Sequence, residues 1–228
     1  MTKKIIYLIL ISIFISCKKN ILVTENEKNS VQKVVDFYNA ECKSYKGFES
    51  ENTNAKIYFE LEISKSELLE ENPEKLKLHS GNIAYLFYSN LETEKDKYDE
   101  IRVKIISKNG EISDYKYSNS EIKEILNFIN KIDKISELIK TENFEAIKNL
   151  FDKSVGIETI ELEELFKNVE NQAGVLKQYQ FQGFEFMETD NFGEVVIFNI
   201  IQIMKEANVN MQLIFNRKEK NLLTVEFQ

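Results

Sequence analysis

Residues 174–186 read GVLKQYQFQGFEF, and here the period of the chain changes. Upstream, apolar residues recur every three or four positions. From Gly174 onward they alternate. Tyr179 and Phe181 share one phase, Phe184 and Phe186 share the other, and Gly183 stands at the change. One extra residue in a strand shifts the phase this way, so the stretch predicts a long strand with a β-bulge at Gly183. Three more strands follow. Residues 190–193 form a turn, and 195–204 are apolar in both phases, as in a central strand. Val209, Met211, Leu213 and Phe215 alternate with Asn208, Asn210, Gln212 and Asn216, and Leu223, Val225 and Phe227 make the last strand.

Upstream lie three helices. Ser118 and Glu121 have the spacing of a capping box. Ile122, Ile125, Leu126, Ile129, Ile132, Ile135, Leu138 and Ile139 then hold one face for about five turns. Thr141 is expected to cap a second helix, with Phe144, Ile147, Leu150 and Phe151 inward. Thr159 begins a third, with Leu162, Leu165, Phe166 and Val169 on one side. Over residues 120–228, three helices followed by four antiparallel strands, with Phe166, Gly174 and Gly183 at their spacing, resemble the NTF2-like (cystatin-like) α+β fold. The resemblance implies a bent sheet wrapped around the long helix, with a cone-shaped pocket between them. Enzymatic members place Asp, His or Tyr groups in that cone. No histidine occurs in this segment, so their chemistry does not carry over. Tyr179, Phe181, Phe198 and Met211 lie on strands and are the candidate ligand-binding residues of such a cone.

The preceding segment reads as a smaller α+β unit, residues 30–118, ahead of the NTF2-like unit at 119–228. Ser30 is expected to cap a helix carrying Val31, Val34, Val35, Tyr38 and Cys42. A loop spans 46–54. Residues 56–64 alternate through Ile57, Phe59, Leu61 and Ile63 as a strand. A short helix at 64–71 ends before Pro73, and a further helix follows Ser80 with Ile83, Leu86, Phe87 and Leu91. Asn109-Gly110 joins two alternating runs, 98–107 and 112–117, as a hairpin.

The chain opens on MTKKIIYLILISIFISCKKN, residues 1–20. Two lysines precede an apolar run that is too short to span a bilayer, which takes about 20 residues. That is the grammar of a secretory signal, here residues 1–16. Ser16 stands directly before Cys17 at the end of the run, which resembles a bacterial lipoprotein signal of Bacteroidetes-like type. The resemblance implies cleavage before Cys17 and a diacylglycerol on its sulfur. Residues 17–29 then read as a tether. Two or three acyl chains hold a protein on a membrane where one does not. Lys18 is not acidic, and by resemblance to Gram-negative lipoproteins the expected place is the outer membrane, facing the periplasm.

Composition narrows the function. The formal net charge is −8, and removing Lys3 and Lys4 with the leader makes it −10, which disfavours nucleic acid as a partner. Cys17 and Cys42 are the only cysteines, so an acylated Cys17 leaves no internal disulfide. Cys42 reads as a small core thiol. One histidine, His79, cannot build a metal cluster or a Ser-His-Asp set, and it reads as a loop residue. Glu158, Glu161, Glu163 and Glu164 suit the first turn of a helix. No cofactor motif is present. Gln178, Gln180 and Gln182 form an amide row on one strand face. The expectation is a membrane-anchored, non-enzymatic binding or envelope-assembly module. The alternatives are a small-ligand carrier or enzyme using the cone, and an immunity-type protein.

Overall fold

The structure, a computed structural model, describes residues 23–51 and 54–228. Cys17, the lipidation candidate, lies outside the described residues. Helix α1 (Glu25–Tyr38) leads into strands β1 (Glu41–Glu51) and β2 (Asn54–Ser64). Helix α2 (Glu67–Glu71), a 3-10 turn at Pro73–Lys75 and helix α3 (Leu76–Ser89) cross to β3 (Glu100–Ile106), which turns back as β4 (Ile112–Ser118). Three helices follow: α4 (Asn119–Lys140), α5 (Phe144–Lys148) and α6 (Thr159–Ala173). The chain ends on β5 (Leu176–Thr189), β6 (Gly193–Met204), β7 (Asn208–Asn216) and β8 (Leu222–Phe227).

The architecture is α+β with two four-stranded sheets, ordered β1-β2-β3-β4 and β5-β6-β7-β8. The second sheet is antiparallel throughout. In the first, β2 and β3 run parallel, which is why a helical crossover of α2 and α3 lies between them. Ser118 ends β4 and caps α4 in the same step, accepting from the Glu121 amide while Glu121 returns to the Ser118 amide.

Helix α3 is the joint of the molecule. It packs on α1, on β3 and β4, on α4 and on β5. Leu78 through Ala84, with Phe87 and Tyr88, are buried, so the helix is enclosed on nearly every side. Glycines let its backbone meet that of β5. A Cβ at Gly81 would stand 2.3 Å from the Phe184 carbonyl oxygen, and one at Gly183 would stand 2.3 Å from the Leu78 carbonyl oxygen. Gly183 also forms the bulge. Phe181 pairs with Ile200 and Gly183 with Asn199, leaving Gln182 as the extra residue. The Gly183 φ of 149° is one that side chains rarely adopt. One continuous hydrophobic cluster runs from Val34 and Phe59 through Ile83 and Phe87 to Phe184, Phe198 and Phe215.

The structure differs from the sequence expectations in four places. Helix α1 starts at Glu25, inside the expected tether, because Thr24 and Glu27 form a capping box. It ends at Asn39, whose φ of 44° stops it, so Cys42 lies on β1 and not on a helix. The expected loop at 46–54 is largely strand. The β1 residues opposite Ile63, Leu61 and Phe59 are Cys42, Ser44 and Lys46, so little apolar alternation marks it. Helix α3 begins four residues before Ser80, and His79 is a buried helical residue, not a loop residue. In addition, Asn143 and not Thr141 caps α5. Among the described residues, no helix is long and apolar enough to cross a membrane.

Candidate functional site

The short path from β2 to α3 builds one wall of a cleft. Pro73 sits at the start of the 3-10 turn, where its missing N–H costs nothing, and the Lys75 amide bonds the Asn72 carbonyl at 3.0 Å. This brings Leu68, Asn72, Lys75, Leu78 and His79 to one side. The bulge builds the other. The contact of Gly183 on Leu78 places Gln182 at the edge of α3, and Asn199, Ile201, Asn210 and Gln228 continue the surface across the sheet. The open cleft holds about 220 Å³.

The cleft is rich in carboxamides. Asn72, Gln182, Asn199, Asn210 and Gln228 all border it, and no Asp or Glu side chain does. Asn72 Nδ2 donates to the Leu68 carbonyl at 2.9 Å, and Asn199 Oδ1 accepts from Gln212 Nε2 at 3.0 Å. Among the described residues, the side chains of Gln182, Asn210 and Gln228 have no hydrogen-bond partner, and Lys75 Nζ has no ion pair. Lys75, Asn210 and Gln228 are exposed and Gln182 is half-buried, so water meets these groups in the free protein and a ligand would replace it.

His79 closes the inner end, with 5% of its surface exposed. Its Nδ1 lies 3.4 Å from the Tyr38 hydroxyl, which donates to the His79 carbonyl at 3.2 Å and accepts from Asn82 Nδ2 at 3.0 Å. Burial, assisted by the Lys75 charge and opposed by Glu74, pulls the imidazole from 6.5 down to about 4. It is therefore neutral near pH 7, with one nitrogen donating and the other accepting. Among the described residues Nε2 has no partner. Asn82 is fully buried, and its Oδ1 has no partner either.

Of the four residues expected to line a cone, Met211 borders this cleft. It is buried and its sulfur accepts from Gln202 Nε2 at 3.2 Å. Phe198 is fully buried, with Phe128 of α4 at 5.5 Å and Phe215 at 5.8 Å between ring centroids. Phe181 meets Tyr85 edge-on at 4.9 Å, and the Tyr179 hydroxyl donates to Asp133. Those three thus pack toward α3 and α4, on the face that holds Phe128. A smaller space of about 100 Å³ lies beside Phe144, Phe166 and Gln202.

Other singled-out residues have local partners. Glu158 and Glu161 form the capping box of α6, and Glu158 pairs with Lys148 at 2.7 Å. Burial, with the Glu62 charge beside it, pushes the Cys42 thiol up to about 12. Gln178 and Gln180 are exposed, and only Gln182 of that row reaches the cleft. Among the described residues, no group of three His, Cys, Asp or Glu could hold a metal ion. Sequence reasoning missed Asn72, Lys75 and His79 as neighbours of the sheet, because their placement depends on α3 docking against the bulge. No family model, no curated protein and no solved structure matches this chain.

Proposed function

We propose that this chain is a lipid-anchored binding module of a bacterial cell envelope, and that it holds a small hydrogen-bonding ligand in the cleft between α3 and the bulged edge of the second sheet. The lipoprotein grammar of residues 1–20 supports the anchor. The order of elements over 120–228, with the bulge at Gly183, supports placing this half among NTF2-like folds. The observation that carries the binding reading is the convergence of unpartnered carboxamides and Lys75 on one cleft, while Phe128, Phe198 and Phe215 occupy the space beneath α4. Binding is favoured over turnover, since the described lining of the cleft holds no Ser, Thr or Cys to serve as a nucleophile beside His79.

Saturation-transfer NMR on the full chain in detergent micelles, against a panel of small polar compounds, tests this. Asn210 is exposed on β7, so Asn210→Trp should fill the cleft without disturbing the core. Binding should be lost in that variant and kept in Gln178→Trp. Binding that survives Asn210→Trp would contradict the assignment.

A further inference from the structure

We infer that the ligand is uncharged and places a hydroxyl or amide N–H donor on Nε2 of His79; this rests on the cleft being the binding site. The protons at the buried end of the cleft carry the inference. The Tyr38 hydroxyl has one proton, and it goes to the His79 carbonyl at 3.2 Å. The same hydroxyl oxygen accepts from Asn82 Nδ2 at 3.0 Å and stands 3.4 Å from His79 Nδ1. With its proton spent, that oxygen meets Nδ1 as an acceptor, so Nδ1 holds the imidazole proton. Burial, assisted by the Lys75 charge, keeps the ring neutral near pH 7. A neutral imidazole has one N–H, which leaves Nε2 an acceptor.

Nε2 faces the cleft. His79 is more than nine-tenths buried and borders that space. Among the described residues, Asn82 Oδ1 is the one fully enclosed side-chain nitrogen or oxygen without a partner. Nε2 has no partner either, so it is not enclosed, and the open space beside His79 is the cleft. The sign of this one hydrogen bond selects the ligand. A carboxylate or phosphate oxygen would meet a lone pair with a lone pair. An ammonium could donate, but Lys75 borders the same cleft and no acidic side chain does. A hydroxyl or an amide N–H donates without charge. The ligand's other polar groups suit Gln182, Asn210 and Gln228, whose carboxamides both donate and accept. Leu68 and Ile201 offer its C–H groups an apolar surface.

His79 is the sole histidine of the chain, so protein with isotope-labelled imidazole reports one ring. Long-range proton–nitrogen NMR of the full chain in detergent micelles, near pH 7, tells a protonated Nε2 from a bare one. Three uncharged probes are titrated. Glucose offers hydroxyl donors, N-acetylglycinamide offers amide donors, and N,N-dimethylacetamide accepts but cannot donate. Nε2 should be bare in the free protein. At least one donor probe should bind about tenfold more tightly than N,N-dimethylacetamide and move the Nε2 signal toward the protonated position, since a buried acceptor left unpaired is costly. Which donor probe prevails tells a sugar-like ligand from a peptide-like one, and either result supports the inference. A proton already on Nε2 in the free protein would overturn it, as would failure of both donor probes to bind. A donor probe that is blocked by Asn210→Trp but leaves the Nε2 signal unmoved would overturn the donor assignment and leave the cleft standing. Donor binding untouched by Asn210→Trp would overturn the cleft itself.

Discussion

Gly183 meets two demands at once: a backbone at φ 149° and a backbone contact with Leu78. Either alone excludes a Cβ. Gly183→Ala should therefore cost more than about 1 kcal/mol, read as a lower urea midpoint with an unchanged slope. An unchanged midpoint would mean that the bulge and α3 do not meet as described. His79 gives a pH signature. Its folded pKa, about 4, lies below the ordinary 6.5. Between those values the unfolded chain binds a proton that the folded chain refuses. The His79 contribution thus lowers stability as pH falls from 6.5 to 4, and the loss stops growing below 4. His79→Gln should flatten that part of the stability profile, measured by urea unfolding at several pH values across the window. An equal slope in both proteins would place His79 in solvent.

Helix α1 is tied down by a buried ion pair. The Glu27 side chain is fully buried, lies 2.5 Å from Lys46 Nζ on β1, and accepts from the Tyr98 hydroxyl. Burial and that carboxylate raise the Tyr98 phenol well above its usual range. Removing one member of such a pair strands the other charge. Glu27→Ala should destabilise the protein by about 3–5 kcal/mol, whereas Glu27→Leu with Lys46→Met should recover much of the loss. Thermal unfolding of the three proteins checks this, and a double variant no better than Glu27→Ala would contradict it. Legibility varied element by element for physical reasons. Helix α4 and strand β7 were readable because each buries one face or one phase, and β6 because it is apolar in both. The Gly183 bulge was readable because a phase change is visible in the residues themselves. The capping box at Thr24 and Glu27 was present in the sequence, but the polar composition around it resembled a tether. Strand β1 sets Ser44 and Lys46 toward the core, so its period is weak. Helix α3 is buried all round, so it has no clear polar face to mark its start.

At the scale of the whole molecule, α3 joins two sheets that share no strand, and the cleft exists only because the α2–α3 segment docks on the second of them. That is why the sequence offered strand residues such as Tyr179 and Phe181 as candidates. Periodicity shows what lies on a strand, but not which helix from the other half docks beside it. The anchor has its own test. Cys17→Ala should abolish metabolic palmitate labelling and leave the precursor uncleaved or release the protein from the membrane fraction. Labelling that persists would refute lipidation. The binding claim is tested most directly by hydrogen exchange of the full chain in micelles, with and without the compound of the polar panel that gives the strongest saturation transfer. Slower exchange is expected in residues 72–79 and around 182 and 199–201. Protection confined to the α4 side, around Tyr179 and Phe181, or no protection at the cleft when ligand is bound, would contradict the account.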